Sequence, residues 1–270
     1  MQILKALAAG AALALVAIPA KADKLDDIIA SGTLRCAVTL DFPPIGMRDA
    51  NNEPVGFDVD YCRDLAKTLG VEAEIVETPF PDRIPALISG RADVGVASTS
   101  DTLERAKTIG FSIPYVAYNM VVLTKEGTGI SSYEDLKNRR VGSTSSTFEA
   151  LALEADMKKW ADPKGSFQAY QNQADVFLAL DQGHIEATVV TSTVAADAVK
   201  SANYSGFKIV DEAPYETDYT SLITLREEYG LINYLNLFVN RQVRSGRYAE
   251  LWGKWVGGPV PDLTVPGVYR

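Results

Sequence analysis

The run Ser98-Thr99-Ser100-Asp101-Thr102-Leu103-Glu104-Arg105 sets hydroxyls at what reads as the end of a strand, with an arginine about one turn further on. Hydroxyls and free backbone N–H groups at a helix start form a cradle for an anion. A guanidinium beside them grips a carboxylate with a two-point fork that lysine cannot reproduce. The same residues also fit a simpler role, in which Ser100 or Asp101 caps a helix and Arg105 is a solvated charge. A second cradle lies at Gly142-Ser143-Thr144-Ser145-Ser146-Thr147, again between a strand and a helix. There the alternative is an ordinary polar loop ending in an N-cap. Two such cradles in one chain point to a clamp for a small anion.

Strands and helices must aim these groups. Apolar spacing predicts strands over 34–38, 72–77 and 92–98, and helices over 60–69 and 83–89 that stop at Gly70 and Gly90. The pattern restarts with strands over 139–143, 166–171 and 185–192, and helices over 147–158 and 175–182. Strands alternating with helices imply mostly parallel sheets. Residues 86–99 (ALISGRADVGVAST) and 179–192 (ALDQGHIEATVVTS) also align as helix end, glycine stop and strand, which sets Ser98 on Thr191. Two similar α/β lobes follow. Ligands of open parallel sheets bind beyond the carboxyl ends of the strands, so the cradles belong to a cleft between the lobes.

The 270 residues are 47% hydrophobic and 23% charged, a globular composition long enough for two lobes. A net charge of -9 makes a poor partner for phosphate backbones or anionic lipid heads, and excludes nucleic acid as a main partner. Residues 1–22 read as a secretory signal: Lys5, an apolar run over 6–18, and Ala20-Lys21-Ala22 before a cut, with a second possible cut after Ala20. The apolar run falls short of the ~20 residues a membrane span needs. No Cys lies at the cut, which argues against a lipid anchor there, and the mature chain from Asp23 is expected to be soluble. In an oxidising compartment Cys36, in the first strand, and Cys62, on the apolar face of the first helix, are expected to pair. The alternative is two buried free thiols. A metal site or other cofactor is not expected, because His184 is the sole histidine and the cysteines lack close pair spacing.

Further motifs carry a resemblance. They are Gly56-Phe57-Asp58-Val59-Asp60-Tyr61-Cys62-Arg63-Asp64-Leu65-Ala66, Asp82-Arg83-Ile84-Pro85-Ala86-Leu87, Leu103-Glu104-Arg105, Phe111-Ser112-Ile113-Pro114-Tyr115, Tyr248-Ala249-Glu250-Leu251-Trp252 and Gly257-Gly258-Pro259. Over essentially the whole mature chain they resemble the family 3 bacterial solute-binding proteins, periplasmic receptors of polar amino-acid ABC importers. The first-strand Cys with Asp58-Val59-Asp60-Tyr61-Cys62-Arg63 is similar to a subgroup of general amino-acid receptors. The resemblance implies that Arg105 binds the ligand α-carboxylate, with Ser98 and Ser100 beside it. It implies that Phe42 packs over the ligand, that Phe80 forms a second apolar wall, and that Thr147 supports the carboxylate. Ser146 stands where the family usually has Gly, and Phe148 where a second Thr is common. At the end of the 185–192 strand the family usually presents an Asp to the α-ammonium; here that position is Thr191. A hydroxyl accepts a hydrogen bond but supplies no opposite charge in a dry cleft. Either Asp41, Glu216 or Asp218 compensates, or the ligand lacks a free α-ammonium.

The fold implied is the type II periplasmic binding protein fold: two lobes, each a mostly parallel sheet flanked by helices, joined by a two-strand hinge. Lobe one is expected over 23–117 and 223–270 and lobe two over 118–222, with crossings near 116–122 and 222–225. The function implied is that of a monomeric periplasmic receptor. It binds an amino acid or related small carboxylate, closes around it, and delivers it to an ABC permease in the inner membrane. Two rivals remain. The fold also hosts a periplasmic cyclohexadienyl dehydratase, whose chemistry needs a general acid of shifted pKa in the cleft. The assigned strand ends offer hydroxyls instead, and His184 is expected at a strand start away from the cleft, so no enzyme is expected. The other rival is a receptor that docks on a sensor or partner enzyme.

Overall fold

A computed structural model describes residues 23–161, 163–261 and 263; the signal segment read over 1–22 lies outside them. Helix α1 (Lys24–Ser31) is capped by Asp23, whose carboxylate accepts from the Leu25 amide, and ends on left-handed Gly32. There follow β1 (Thr33–Val38), the short pair β2 (Met47–Arg48) and β3 (Pro54–Val55), α2 (Phe57–Leu69), β4 (Glu72–Glu77), α3 (Arg83–Ile88), β5 (Val94–Ser100) and β6 (Ile109–Tyr118). The second lobe holds β7 (Met120–Lys125), β8 (Arg140–Thr144), α4 (Phe148–Trp160), β9 (Ser166–Tyr170), α5 (Gln173–Asp181), β10 (Ala187–Thr191), α6 (Ser192–Lys200) and β11 (Phe207–Glu212). The chain then returns for β12 (Asp218–Leu225), α7 (Tyr229–Arg244) and α8 (Arg247–Trp255).

The two five-stranded sheets have the orders β4-β1-β5-β12-β6 and β9-β8-β10-β7-β11. Taken in that direction they correspond strand for strand, and β5 falls on β10. The aligned segments behave as their sequences imply: Gly90 and Gly183 end the preceding helical segments at φ 70° and 73°, and Val94 and Ala187 open the strands. Four strands of each sheet point the same way. The exceptions are β12, antiparallel to β5 and β6, and β7, antiparallel to β10 and β11. Each reversed strand is the one delivered by a crossing between lobes.

The first crossing turns at Asn119, between β6 and β7. The second occupies 213–217, ahead of the expected 222–225. Residues 218–221, expected in lobe two, instead pair with β6 in the first sheet. Ladder pairing breaks at Pro214, which has no N–H to donate, while Leu222 and Ile223 are fully buried core. The crossings touch where the Thr217 hydroxyl donates to Asn119 Oδ1 at 3.3 Å.

Helix α2 buries Phe57, Tyr61, Cys62 and Leu65 against the first sheet, as its i, i+4, i+5, i+8 spacing requires. Cys36 of β1 and Cys62 of α2 are joined by a disulfide with a Cα–Cα distance of 6.3 Å, so the free-thiol alternative falls away. Among the described residues no helix is long and apolar enough to cross a membrane.

Candidate functional site

A narrow cavity of about 10 Å³, room for about one water, lies where the two lobes meet, lined from both. The first lobe contributes Phe42, Phe80, Arg83, Ser98, Ser100, Tyr118 and Asp218; the second contributes Thr147, Phe148, Glu149 and Thr191. Phe42 and Phe80 form one wall, edge to face with centroids 4.9 Å apart. Ser98 and Ser100 end β5 and Thr191 ends β10, which is where strand-end chemistry should converge.

The charged groups sit in a desolvated layer around this cavity. Arg83 is buried and donates to four carbonyls: Phe80 at 2.9 Å, Ala97 and Ser98 at 2.8 Å, and Ser146 of the other lobe at 2.9 Å. Its guanidinium carbon also lies 4.6 Å from the centre of the Phe80 ring. Burial, and then the like charge of Arg105, pull its pKa down to about 9. Arg105 donates to the Ser100 carbonyl at 3.0 Å and to the same Ser146 carbonyl at 2.7 Å. It lies at the rim instead of lining the cavity. Burial lowers its pKa too, opposed by Asp218 and Glu149.

Ser146 departs from its expected use. Its side chain is exposed, and the group it brings to the cleft is its carbonyl. Its φ of 63° is the left-handed conformation that favours glycine, which gives a physical reason for glycine at that position in the resembling family. Thr147 both lines the cavity and caps α4, accepting from the Ala150 amide at 3.3 Å and donating to the Thr144 carbonyl at 2.8 Å. Thr191 is buried, with its hydroxyl 3.5 Å from that of Thr193.

The three candidate ammonium partners separate clearly. Asp41 accepts from the Gln173 amide of the opposite lobe at 2.6 Å and does not line the cavity. Glu216 is exposed in the second crossing. Asp218 is buried in the cavity wall, where its Oδ2 accepts from the Ser100 hydroxyl at 3.1 Å. Burial pushes its pKa up to about 7, against the pull of Ser100 and Arg105.

Sequence reasoning missed Glu149, Arg83 and Tyr118. The second residue of α4, Glu149, is buried, and burial raises its carboxyl to about 7 despite a hydrogen bond from its own backbone amide. The assigned strand ends bring hydroxyls to the cleft; its carboxyl groups come from elsewhere, Asp218 at the start of β12, one of the three candidate ammonium partners, and Glu149 in α4, which was not among them. The available signals were an arginine set among the apolar residues of α3 and a glutamate two residues after a cap. Sequence alone does not say which way either side chain faces. His184 is exposed just ahead of β10, at the strand end away from the cleft. A larger and more open hollow lies behind the hinge, lined among others by Asn119, Lys200 and Trp255, and it contains neither cradle.

A sequence profile of the bacterial extracellular solute-binding proteins, family 3, matches residues 34–258. The ABC transporter glutamine-binding protein GlnH of Bacillus subtilis is 30% identical over 248 residues, covering 87% of this chain and 85% of its own. The solved structure of an ancestral arginine-binding protein bound to arginine superposes with a TM-score of 0.78 at 32% identity, over 84% of this chain and 99% of its own. A more local match is the cyclohexadienyl dehydratase of Pseudomonas aeruginosa, 37% identical over 114 residues, or 42% of each chain.

Proposed function

This chain belongs to the bacterial extracellular solute-binding proteins, family 3, and from that premise we propose that it is the substrate-binding component of an amino-acid ABC importer. It binds a free amino acid, or a close relative bearing a carboxylate, between its lobes and closes around it. The carboxylate meets Arg105 and the N-terminal end of α4 at Thr147. The α-ammonium meets Asp218, with Thr191 and Ser100 as neutral acceptors. Phe42 and Phe80 cover the apolar part. Ligand that touches both lobes favours the closed form through differential affinity, and a membrane permease receives that form. The observation that carries this reading is Asp218: a buried carboxyl group in the cavity wall supplies the charge that Thr191 lacks. The protein acts outside the cytoplasm as a monomer.

Calorimetry and thermal-shift measurements against arginine, glutamine, histidine and cystine, each paired with its deaminated acid, test this reading. An amino acid should raise the melting temperature and its deaminated partner should not. Equal response to both would remove the ammonium from the recognition.

Glu149 favours a second reading. A carboxyl of pKa about 7 facing a cavity is poised as a general acid, and the dehydratase match adds weight to it. Incubation with prephenate or arogenate decides between the two. Turnover that disappears in Glu149→Gln would make the protein an enzyme, whereas binding without turnover leaves it a receptor.

A further inference from the structure

Two buried polar groups lie behind the cleft without lining it. Asp58, in the first turn of α2, and Tyr115, on β6, are 2% and 0% exposed. The Tyr115 hydroxyl donates to Asp58 Oδ1 at 2.8 Å and accepts from the Ser98 amide at 3.0 Å. An amide N–H can only donate, so Ser98 gives to Tyr115; the Tyr115 hydroxyl in turn gives its proton to the Asp58 carboxylate oxygen. Ser98 is the strand-end residue with φ 44°, a conformation that L residues other than Asn and Asp avoid. From that conformation its carbonyl accepts from Arg83 at 2.8 Å, and its hydroxyl lies 2.9 Å from that of Tyr118. Arg83 in turn reaches the Ser146 carbonyl across the cleft.

We propose that Tyr115, backed by Asp58, is a positioning residue of the cleft: it holds Ser98 in the left-handed conformation that aims the Ser98 carbonyl at Arg83 and the Ser98 hydroxyl at Tyr118. A buried carboxyl is costly unless hydrogen-bonded, and apolar packing alone would be better served by leucine. The role of Asp58 is to orient the Tyr115 proton away from Ser98, which leaves the phenol oxygen free to accept the strained amide. The importance of this arrangement for ligand binding rests on the proposed function; the geometry belongs to the protein alone.

Amide hydrogen exchange by NMR, with no ligand added, tests it. Tyr115→Phe keeps the ring that packs 5.1 Å from Tyr61 and removes both bonds. Exchange at Ser98 should speed up by about tenfold or more, while Val96 in the same strand keeps its wild-type rate. Asp58→Asn retains an oxygen that accepts from Tyr115, so Ser98 should stay within about twofold of wild type, whereas Asp58→Leu should match Tyr115→Phe. In a Ser98→Gly background the left-handed backbone carries no penalty, and Tyr115→Phe should no longer shift the resonance of the Arg83 Nη1–H that donates to the residue 98 carbonyl. Unchanged exchange at Ser98 in Tyr115→Phe, or equal acceleration along the whole of β5, overturns the proposal. So does loss of Ser98 protection in Asp58→Asn. Because no arm uses a ligand, failure of the amino-acid reading leaves this result standing, and the reverse.

Discussion

The carboxylate of Asp41 lies 2.6 Å from the backbone nitrogen of Gln173, the first residue of α5, and the two belong to opposite lobes. A side chain of one lobe thus helps cap a helix of the other, placing negative charge where the helix dipole is positive. With Arg83 and Arg105 on the Ser146 carbonyl, this bond links the two lobes across the cleft. Replacing Asp41 with Ala should shift the free protein toward an open form, read as a larger radius of gyration in solution scattering. Ligand affinity should fall by roughly tenfold, the weight of one charge-assisted bond. An unchanged radius would remove Asp41 from closure.

Arg105→Ala is expected to abolish measurable binding while leaving the fold intact. Taking a forked, charge-assisted grip out of a desolvated cleft should weaken affinity by about 2–5 kcal/mol. Calorimetry gives the affinity and circular dichroism the fold; wild-type affinity would take Arg105 out of recognition.

Thr191→Asp should weaken binding of an ordinary amino acid. The cavity already holds Asp218 and Glu149, and a third carboxyl would crowd like charge into a dry space and raise all three pKa values. Titration of both proteins against one amino acid checks this. Tighter binding by the variant would mean that Asp218 does not serve the ammonium.

Acidity separates folded from unfolded protein in a defined direction. The Glu149 and Asp218 carboxyls titrate near 7 in the fold, against 4.5 and 3.8 ordinarily. As pH rises the unfolded chain releases these protons first, so the folded state binds more of them between about pH 4 and 7. Their contribution to stability is therefore present at low pH, declines across that window, and levels off above it. Glu149→Gln should flatten part of the decline in urea unfolding midpoints. An ammonium-bearing ligand should also bind more tightly as pH rises through about 7, releasing a proton from Asp218 that calorimetry in two buffers detects.

The disulfide should be present in exported protein and should matter to its stability. Cys36 and Cys62 are 26 residues apart, and tying a loop of that length restricts the unfolded chain by about 3.5 kcal/mol. Mass spectrometry after alkylation without reduction should find no labelled thiol. The double Cys→Ala variant should unfold at lower denaturant concentration than wild type.

The parts of this fold legible in the sequence are those whose neighbours in space are also neighbours along the chain. The units over 34–98 and 139–192 show themselves through apolar spacing and glycine stops. Strands β6, β7, β11 and β12 do not, because they are defined by partners more than a turn away: Thr220 pairs with both Ser100 and Val116. In the site, side chains at strand ends were readable, but Ser146 acts through a backbone carbonyl that any residue possesses. Asp41, Glu216 and Asp218 are chemically alike, and only their places in the fold distinguish them: the Gln173 amide occupies Asp41, Glu216 is exposed and Asp218 lines the cavity. Nothing in the spacing of Arg83 or Glu149 shows that its charged end is buried at the cleft.

Strand β12 lies between β5 and β6, yet it is synthesised after every strand of the second lobe. The second sheet is built from one uninterrupted stretch of chain, whereas the first cannot complete its middle until the final quarter of the polypeptide has emerged. A chain crossing a membrane from its N-terminus would therefore finish its later lobe before its earlier one. Until then the early strands wait with an unmatched edge, exposed to whatever else could pair with them. The order of assembly runs against the order of translation, and the first lobe depends on the last residues to arrive.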